Sequence, residues 1–333
     1  MSDKLQDLKQ RLPLLDYLQR HSWKARPIGQ EEFVGLCPLH PESHPSFYVN
    51  AVKNVFYCHG CGRGGDLIRF VQLYLNLSFQ ETIAHLNNEL GLSAPEEDEV
   101  LRETAAFYQR QLNGHSEAWD YLHSRGLHDP RLIRQLNIGY APGGTLRRHL
   151  TSMGYSFERL LQLGLINQHG HDTFYRRAIF PCFDGSRFSN FYGRSVDGSA
   201  PHRFLPCRPK GGLFAWSTAG ASPEVILVEG LFDLAVLWQA GFVNTTCAFG
   251  THLTPTQFLQ LSDNPNRKVF IAFDSDPNGA GQTAARSLVQ RLRSVGLQAH
   301  IVDLPEGQDP NDYFVSGATL SDFDKRFHMA RSL

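Results

Sequence analysis

No run of apolar residues in this 333-residue chain reaches the ~18 to 20 that a membrane-spanning helix needs. The opening stretch, Met1 to Gln10, is polar and lacks the hydrophobic region of a secretory leader. Cysteine is sparse: of six, Cys37, Cys58 and Cys61 sit together, and Cys182, Cys207 and Cys247 are scattered. That distribution excludes the disulfide framework of a small secreted domain, and clustered cysteines favour metal instead. These absences predict a soluble, cytoplasmic protein with no membrane partner. Net charge is nearly absent as well, at −1. Apolar residues make up 41% of the chain, enough for ordinary cores, and the length suits two or three domains.

The neutral total hides an uneven distribution. Residues 101–221 carry 15 Lys/Arg against 8 Asp/Glu, whereas residues 1–100 and 222–333 each have a balance of −4. A basic middle therefore lies between two mildly acidic ends. A solvated surface and a polyanion-binding face explain such a balance equally well.

At the N-terminal end, Leu5, Leu8, Leu12 and Leu15 recur at helical spacing, and Pro13 predicts a break. The runs Ser46–Val49 and Asn54–Cys58 alternate like a hairpin. Around them, Cys37 and His40 form a C-x₂-H pair, and Cys58 and Cys61, after seventeen intervening residues, a C-x₂-C pair. Two such knuckles bring together the Cys₃His donor set of a closed structural zinc site. His44 and His59 are spare imidazoles, and either could replace His40. Gly60, Gly62, Gly64 and Gly65 suit tight turns around the metal, or a phosphate-holding turn before a helix at Asp66. Ser78–Glu81 is a capping box for a helix ending at Gly91. The acidic, Pro-containing stretch 93–99 reads as a linker between a module at 1–92 and the rest.

Beyond the linker, helical patterns cover Val100–Leu112 and Glu117–His123, with Ser116 as N-cap of the second. Strand-like runs follow at Ala178–Phe183, Phe188–Tyr192 and Arg203–Leu205. Arginines interleave with aromatics here, a pattern that suits phosphate contact and base stacking on a single strand but equally a half-buried sheet with charged edges. From Val225 onward, strands and helices alternate strictly, which implies a parallel sheet with helices on its faces. Glu229 ends one apolar run, and Asp274 and Asp276 end another. Ligand sites in such sheets lie beyond the carboxyl ends of the strands. Three converging carboxylates repel unless a cation compensates, and an all-oxygen donor set suits Mg²⁺ or Mn²⁺.

Several blocks resemble one family, in its order. C-P-L-H, H-P-S-F-Y-V and F-Y-C-H-G-C-G-R-G-G-D, beginning at Cys37, His44 and Phe56, resemble the zinc-binding domain of bacterial and phage DnaG-type primases. Tyr121–Leu127, Ile138–Pro142, Arg177–Pro181, Phe191–Arg194 and Lys210–Phe214 are similar to blocks of the primase RNA-polymerase core. V-E-G-L-F-D, F-D-S-D-P-N-G-A-G and L-P-E-G-Q-D-P-N-D, beginning at Val228, Phe273 and Leu304, resemble the primase branch of the Toprim fold.

The resemblance implies a Toprim α/β domain, mostly parallel with flanking helices, at 222–315. Before it come an α+β basic subdomain at 100–221 and a small zinc-ribbon-like β domain; residues 316–333 form a short helical tail. It implies zinc on Cys37, His40, Cys58 and Cys61. It implies Mg²⁺ or Mn²⁺ on Asp274 and Asp276, with Glu229 as ligand or proton-transfer group, and supporting acids at Asp233 and Asp309. Arg125, Arg177, Arg194, Arg203 and Lys210 are the implied contacts to template or nucleotide phosphates. The implied activity is primer synthesis from NTPs on single-stranded DNA, with a replicative helicase supplied in trans. The alternatives are a non-priming DNA-binding protein on the same fold, or a Toprim nuclease. Two departures stand out: Pro206 and Asn311 occupy positions where the family usually has an asparagine and an acid. The few residues after Asp312 and the absence of a P-loop imply a small primase, of mobile-element origin, without a helicase-binding domain or a fused helicase.

Overall fold

The computed structural model describes residues 8–29, 31–89, 95–206, 208–275 and 279–331. They divide into two compact units, one within residues 1–96 and the other within 97–333, the stretch 207–209 excepted.

The first unit is a five-stranded antiparallel meander: β1 (Ala25–Pro27), β2 (Glu32–Gly35), β3 (Phe47–Asn50), β4 (Val55–Cys58) and β5 (Gly64–Asp66), paired in chain order. The expected hairpin is β3–β4, with Phe47 opposite Cys58. Its inward positions, Phe47 and Phe56, stack at 5.1 Å, and both meet Phe70 of the helix Leu67–Leu75 edge-on. Pro13 interrupts the first helical pattern: the helix Leu14–Arg20 starts immediately after it, and Leu12, Leu14, Tyr17 and Leu18 are buried. Leu5 lies outside the described residues. The glycine-rich turn is absorbed into β4 and β5. Asp66 then caps the next helix, accepting from the Arg69 N–H and pairing with Lys9 at 2.6 Å. A carboxylate therefore occupies the helix end where a phosphate would have to sit.

The second unit begins earlier than the linker reading implies. A helix runs Pro95–Leu112, so 95–99 is helical rather than extended connection. Proline is tolerated in a first helical turn, and carboxylates are favoured near the positive end of the helix dipole. Ser116 also differs from its expected role: it is the first helical residue, and His115 takes the cap position without a side-chain cap bond.

The middle region carries an antiparallel sheet in the order β6 (Gly139–Ala141), β7 (Arg177–Asp184), β8 (Arg187–Ser195), β9 (Arg203–Phe204). The last region carries a parallel sheet of β10 (Glu224–Val228), β11 (Thr245–Cys247), β12 (Lys268–Ala272) and β13 (Gln298–Ile301), ordered β11-β10-β12-β13. This is the mostly parallel α/β arrangement with flanking helices that the resemblance implies. Alternate residues of the central strands point to opposite faces. Ile226, Val228, Phe270 and Ala272 join one core, which continues into Tyr140, Phe180 and Tyr192 of the middle region. Val225, Leu227, Val269 and Ile271 join a second core under the helix Ala280–Ser294. Both faces are therefore covered, which is why these strands read as unbroken apolar runs. Among the described residues no helix is long and apolar enough to cross a membrane.

Candidate metal centre and acidic cleft

In the first unit, Cys37 precedes β3, Cys58 ends β4 and Cys61 lies in the turn that follows. Cys37, His40, Cys58 and Cys61 each offer a donor atom, and these atoms all lie within 4.8 Å of one another. The Leu39 N–H points at the Cys37 sulfur at 3.3 Å, the N–H···S contact of a metal knuckle. Three sulfurs and one imidazole nitrogen, largely withdrawn from solvent, fit structural zinc. The spare histidines are elsewhere: the His44 ring lies 3.0 Å from the Ser43 hydroxyl, and the His59 ring packs edge-on against Tyr48 and Tyr57.

In the second unit the acidic site follows from sheet topology. The chain steps from β10 outward to β11, then crosses back to β12 on β10's other side. The crevice between β10 and β12 is the point where strand order reverses, and open α/β sheets bind ligands there. Val228 and Ala272 are paired across it, so Glu229 and Asp274 emerge together just beyond. The Asp274 N–H donates to Glu229 Oε1 at 3.0 Å, locking the two strand ends. Gly281 permits this approach: a Cβ there would lie 2.1 Å from the Asp274 carbonyl oxygen.

Asp233, Asp274 and Asp309 each place a carboxylate oxygen within 4.8 Å of the others. Asp233 rises from the first turn of the helix Leu231–Gln239 and Asp309 precedes the helix Pro310–Val315. Both also serve locally, Asp233 accepting from the Gly230 N–H at 2.9 Å and Asp309 from the Asp312 N–H. Burial, reinforced by the Asp309 and Asp274 charges, pushes Asp233 well above the usual carboxylate range. Asp309 is raised chiefly by burial, with Arg125 opposing the shift. Such a group holds protons or a divalent cation in place of bare charge. Glu229 lies beside this trio, and Asp276 lies outside the described residues.

The acids line a cleft of about 270 Å³ that also includes Arg125, Arg194, Tyr192, His202 and Phe249. Arg125 lies over the Phe232 ring at 5.2 Å, and Arg194 lines the cleft beside Tyr192. The exposed His202 ring stacks on Tyr192 at 5.3 Å, and Lys210 lies 5.1 Å over Phe204. Arg203 is exposed on β9, with its Nη1 at 3.3 Å from the Thr173 carbonyl. Arg177 departs from expectation. It is buried, and its Nη1 donates to the carbonyls of Gly193 at 3.0 Å and Pro201 at 2.7 Å, so it braces the sheet. Sequence reasoning also passed over His202 and Phe249, which belong to separate segments. Only the closeness of His202 to Arg203 and Phe204 hinted at it.

The chain matches three family profiles in succession: a CHC2 zinc finger over residues 1–102, a DNA primase catalytic core N-terminal domain over 107–210, and a Toprim-like domain over 226–314. It is 32% identical to the DNA primase of Aquifex aeolicus over 94% of this chain and 66% of that protein. It is likewise 32% identical to the DNA primase of Deinococcus radiodurans, over 88% of this chain and 55% of that one. The chain thus spans somewhat over half to two thirds of these relatives' lengths. Among solved structures, the zinc-binding and RNA polymerase domains of Aquifex aeolicus primase align over 98% of this chain and 84% of that one, with TM-score 0.61 and 30% identity. A DnaG primase catalytic domain bound to single-stranded DNA aligns over 70% of this chain and 81% of that one, with TM-score 0.59 and 25% identity.

Proposed function

Because this chain belongs to the DnaG-type primase family, we propose that it is a DNA-directed RNA primase, joining NTPs into short oligoribonucleotides on single-stranded DNA. The observation that carries this reading is the meeting of acids and arginines in one cleft at the sheet's switch point. Asp274 and Asp276, with Glu229, are the residues we assign to Mg²⁺ or Mn²⁺, and Asp233 and Asp309 support them. Those carboxylates would hold a divalent ion, whose charge would lower the pKa of the primer 3′-hydroxyl and neutralise the departing pyrophosphate. Glu229, through its bond to the Asp274 N–H, sets the spacing of the two strand ends. Arg125 and Arg194 line the cleft where a triphosphate would lie, and Arg203 and Lys210 offer cations to the template backbone. The exposed ring of His202, backed by Tyr192, offers a face to a base, and such stacking is tolerant of sequence. Single-stranded DNA as template is supported by the relative solved with it. A replicative helicase acting from a separate chain, in the cytoplasm, completes the reading.

The test is an assay with single-stranded DNA, labelled NTPs and Mg²⁺ or Mn²⁺, run beside Glu229→Gln. The variant keeps an oxygen for the Asp274 N–H but loses the charge. Oligoribonucleotides made by the wild type, and reduced at least ~100-fold in the variant, support priming. Tight DNA binding without synthesis would make the chain a recruitment protein, and cleaved template a nuclease.

A further inference from the structure

We propose that Glu42 is the positioning residue of the zinc site and that it commits His40 to bind the metal through Nδ1. The Glu42 side chain is only 10% exposed, and four donors converge on its two oxygens. Oε1 accepts the Cys37 N–H at 2.7 Å and the Ser46 N–H at 3.1 Å. Oε2 accepts the Ser46 hydroxyl and lies 3.3 Å from His40 Nε2. A carboxylate answers all four because it is acceptor-only; an amide would turn an N–H toward at least one of them.

The opposite nitrogen of the His40 ring is near the Cys58 sulfur, with Nδ1 3.9 Å from Cys58 Sγ. An imidazole that ligates through one nitrogen carries its proton on the other, and an acceptor at that proton sets tautomer and ring orientation. With Glu42 at Nε2, the lone pair on Nδ1 is left for zinc. Ser46 links the two knuckles. Its Oγ, having given its proton to Glu42, accepts the Gly60 N–H at 3.1 Å and lies 3.2 Å from Cys58 Sγ. The turn closes so tightly that a Cβ on Gly60 would lie 2.7 Å from Ser46 Oγ and 2.8 Å from His40 Nε2. Glu42 thus ties the ligand Cys37 through its main chain, the ligand His40 through its ring, and the second knuckle through Ser46.

The test uses the full-length chain loaded with Zn²⁺. Nitrogen-15 NMR of histidine-labelled protein should show the His40 Nδ1 shift of a metal-bound nitrogen, with a proton on Nε2. Competition with a chromophoric chelator should give zinc binding ~10- to 100-fold weaker in Glu42→Gln, with partial recovery in Glu42→Asp. Co²⁺-loaded Glu42→Gln should show an altered visible spectrum, which a purely structural loss would not produce while metal stays bound. Ligation through Nε2 in the wild type would overturn the proposal. So would a Glu42→Gln variant that holds zinc as tightly as the wild type. The wild-type NMR result stands whether or not a variant folds.

Discussion

The side-chain amide of Asn311 donates to the main-chain carbonyl of Arg125 at 2.7 Å, joining residues 186 apart in sequence. Its own N–H donates to Asp233 Oδ1 at 3.1 Å, and the residue is fully buried. The position that reads as a missing acid is therefore a strut between a cation and an acid of the cleft. Asn311→Asp would face one carbonyl oxygen with another acceptor and add charge beside Asp233. It should cost about 1–3 kcal/mol in urea unfolding and should not tighten Mn²⁺ binding. A variant as stable as the wild type would count against the strut.

The crowded acids predict a pH signature. Asp233 and Asp309 are both raised, so above the unfolded value of roughly 4 the folded chain holds protons that the unfolded chain has lost. Stability of the metal-free protein should fall as pH rises from there, until the folded groups ionise too. Mg²⁺ should flatten the slope by binding the ionised form, and Asp309→Asn should make it shallower while weakening Mg²⁺ binding. Urea midpoints across the acid-to-neutral range, with and without Mg²⁺, measure this; an unchanged midpoint throughout would contradict it.

The arginines should separate by burial. Arg177→Ala leaves the Gly193 and Pro201 carbonyls without their donor and should cost about 1.5–3 kcal/mol, with the salt dependence of DNA binding unchanged. Arg203→Ala, at an exposed position, should alter stability by about 0.5 kcal/mol or less and reduce the log–log salt slope by roughly 0.7 per lost phosphate contact. Binding titrations at several salt concentrations distinguish them.

Zinc removal should act on the first unit. Its core is small, gathered around Phe47, Phe56 and Phe70 beside the buried ligands Cys37 and Cys58, and metal binding in such modules contributes to folding. Chelation, or Cys58→Ser, should abolish one calorimetric transition and leave the transition of the larger unit. A single unchanged transition would show that the knuckles do not hold this unit together.

The metal knuckles were legible because ligand spacing is a local property: two x₂ pairs of soft donors have few other uses. The parallel sheet was legible because strands buried on both faces must be apolar throughout, and Glu229 and Asp274 because strand ends are where carboxylates can gather. Proline chemistry placed the helix break at Pro13. It could not tell a linker from a helix at Pro95, since the same acidic, Pro-led stretch serves both.

What the tertiary structure decided concerns partners distant in sequence. Arg177 and Arg194 look equivalent along the chain, but one turns inward to two carbonyls and the other opens into the cleft. Asn311 meets Arg125, 186 residues away, only after folding. Composition and spacing thus determined which chemistry the chain can carry. Which acids, cations and supports share a site was set by strand order and burial, because a hydrogen bond depends on distance in space and not along the chain.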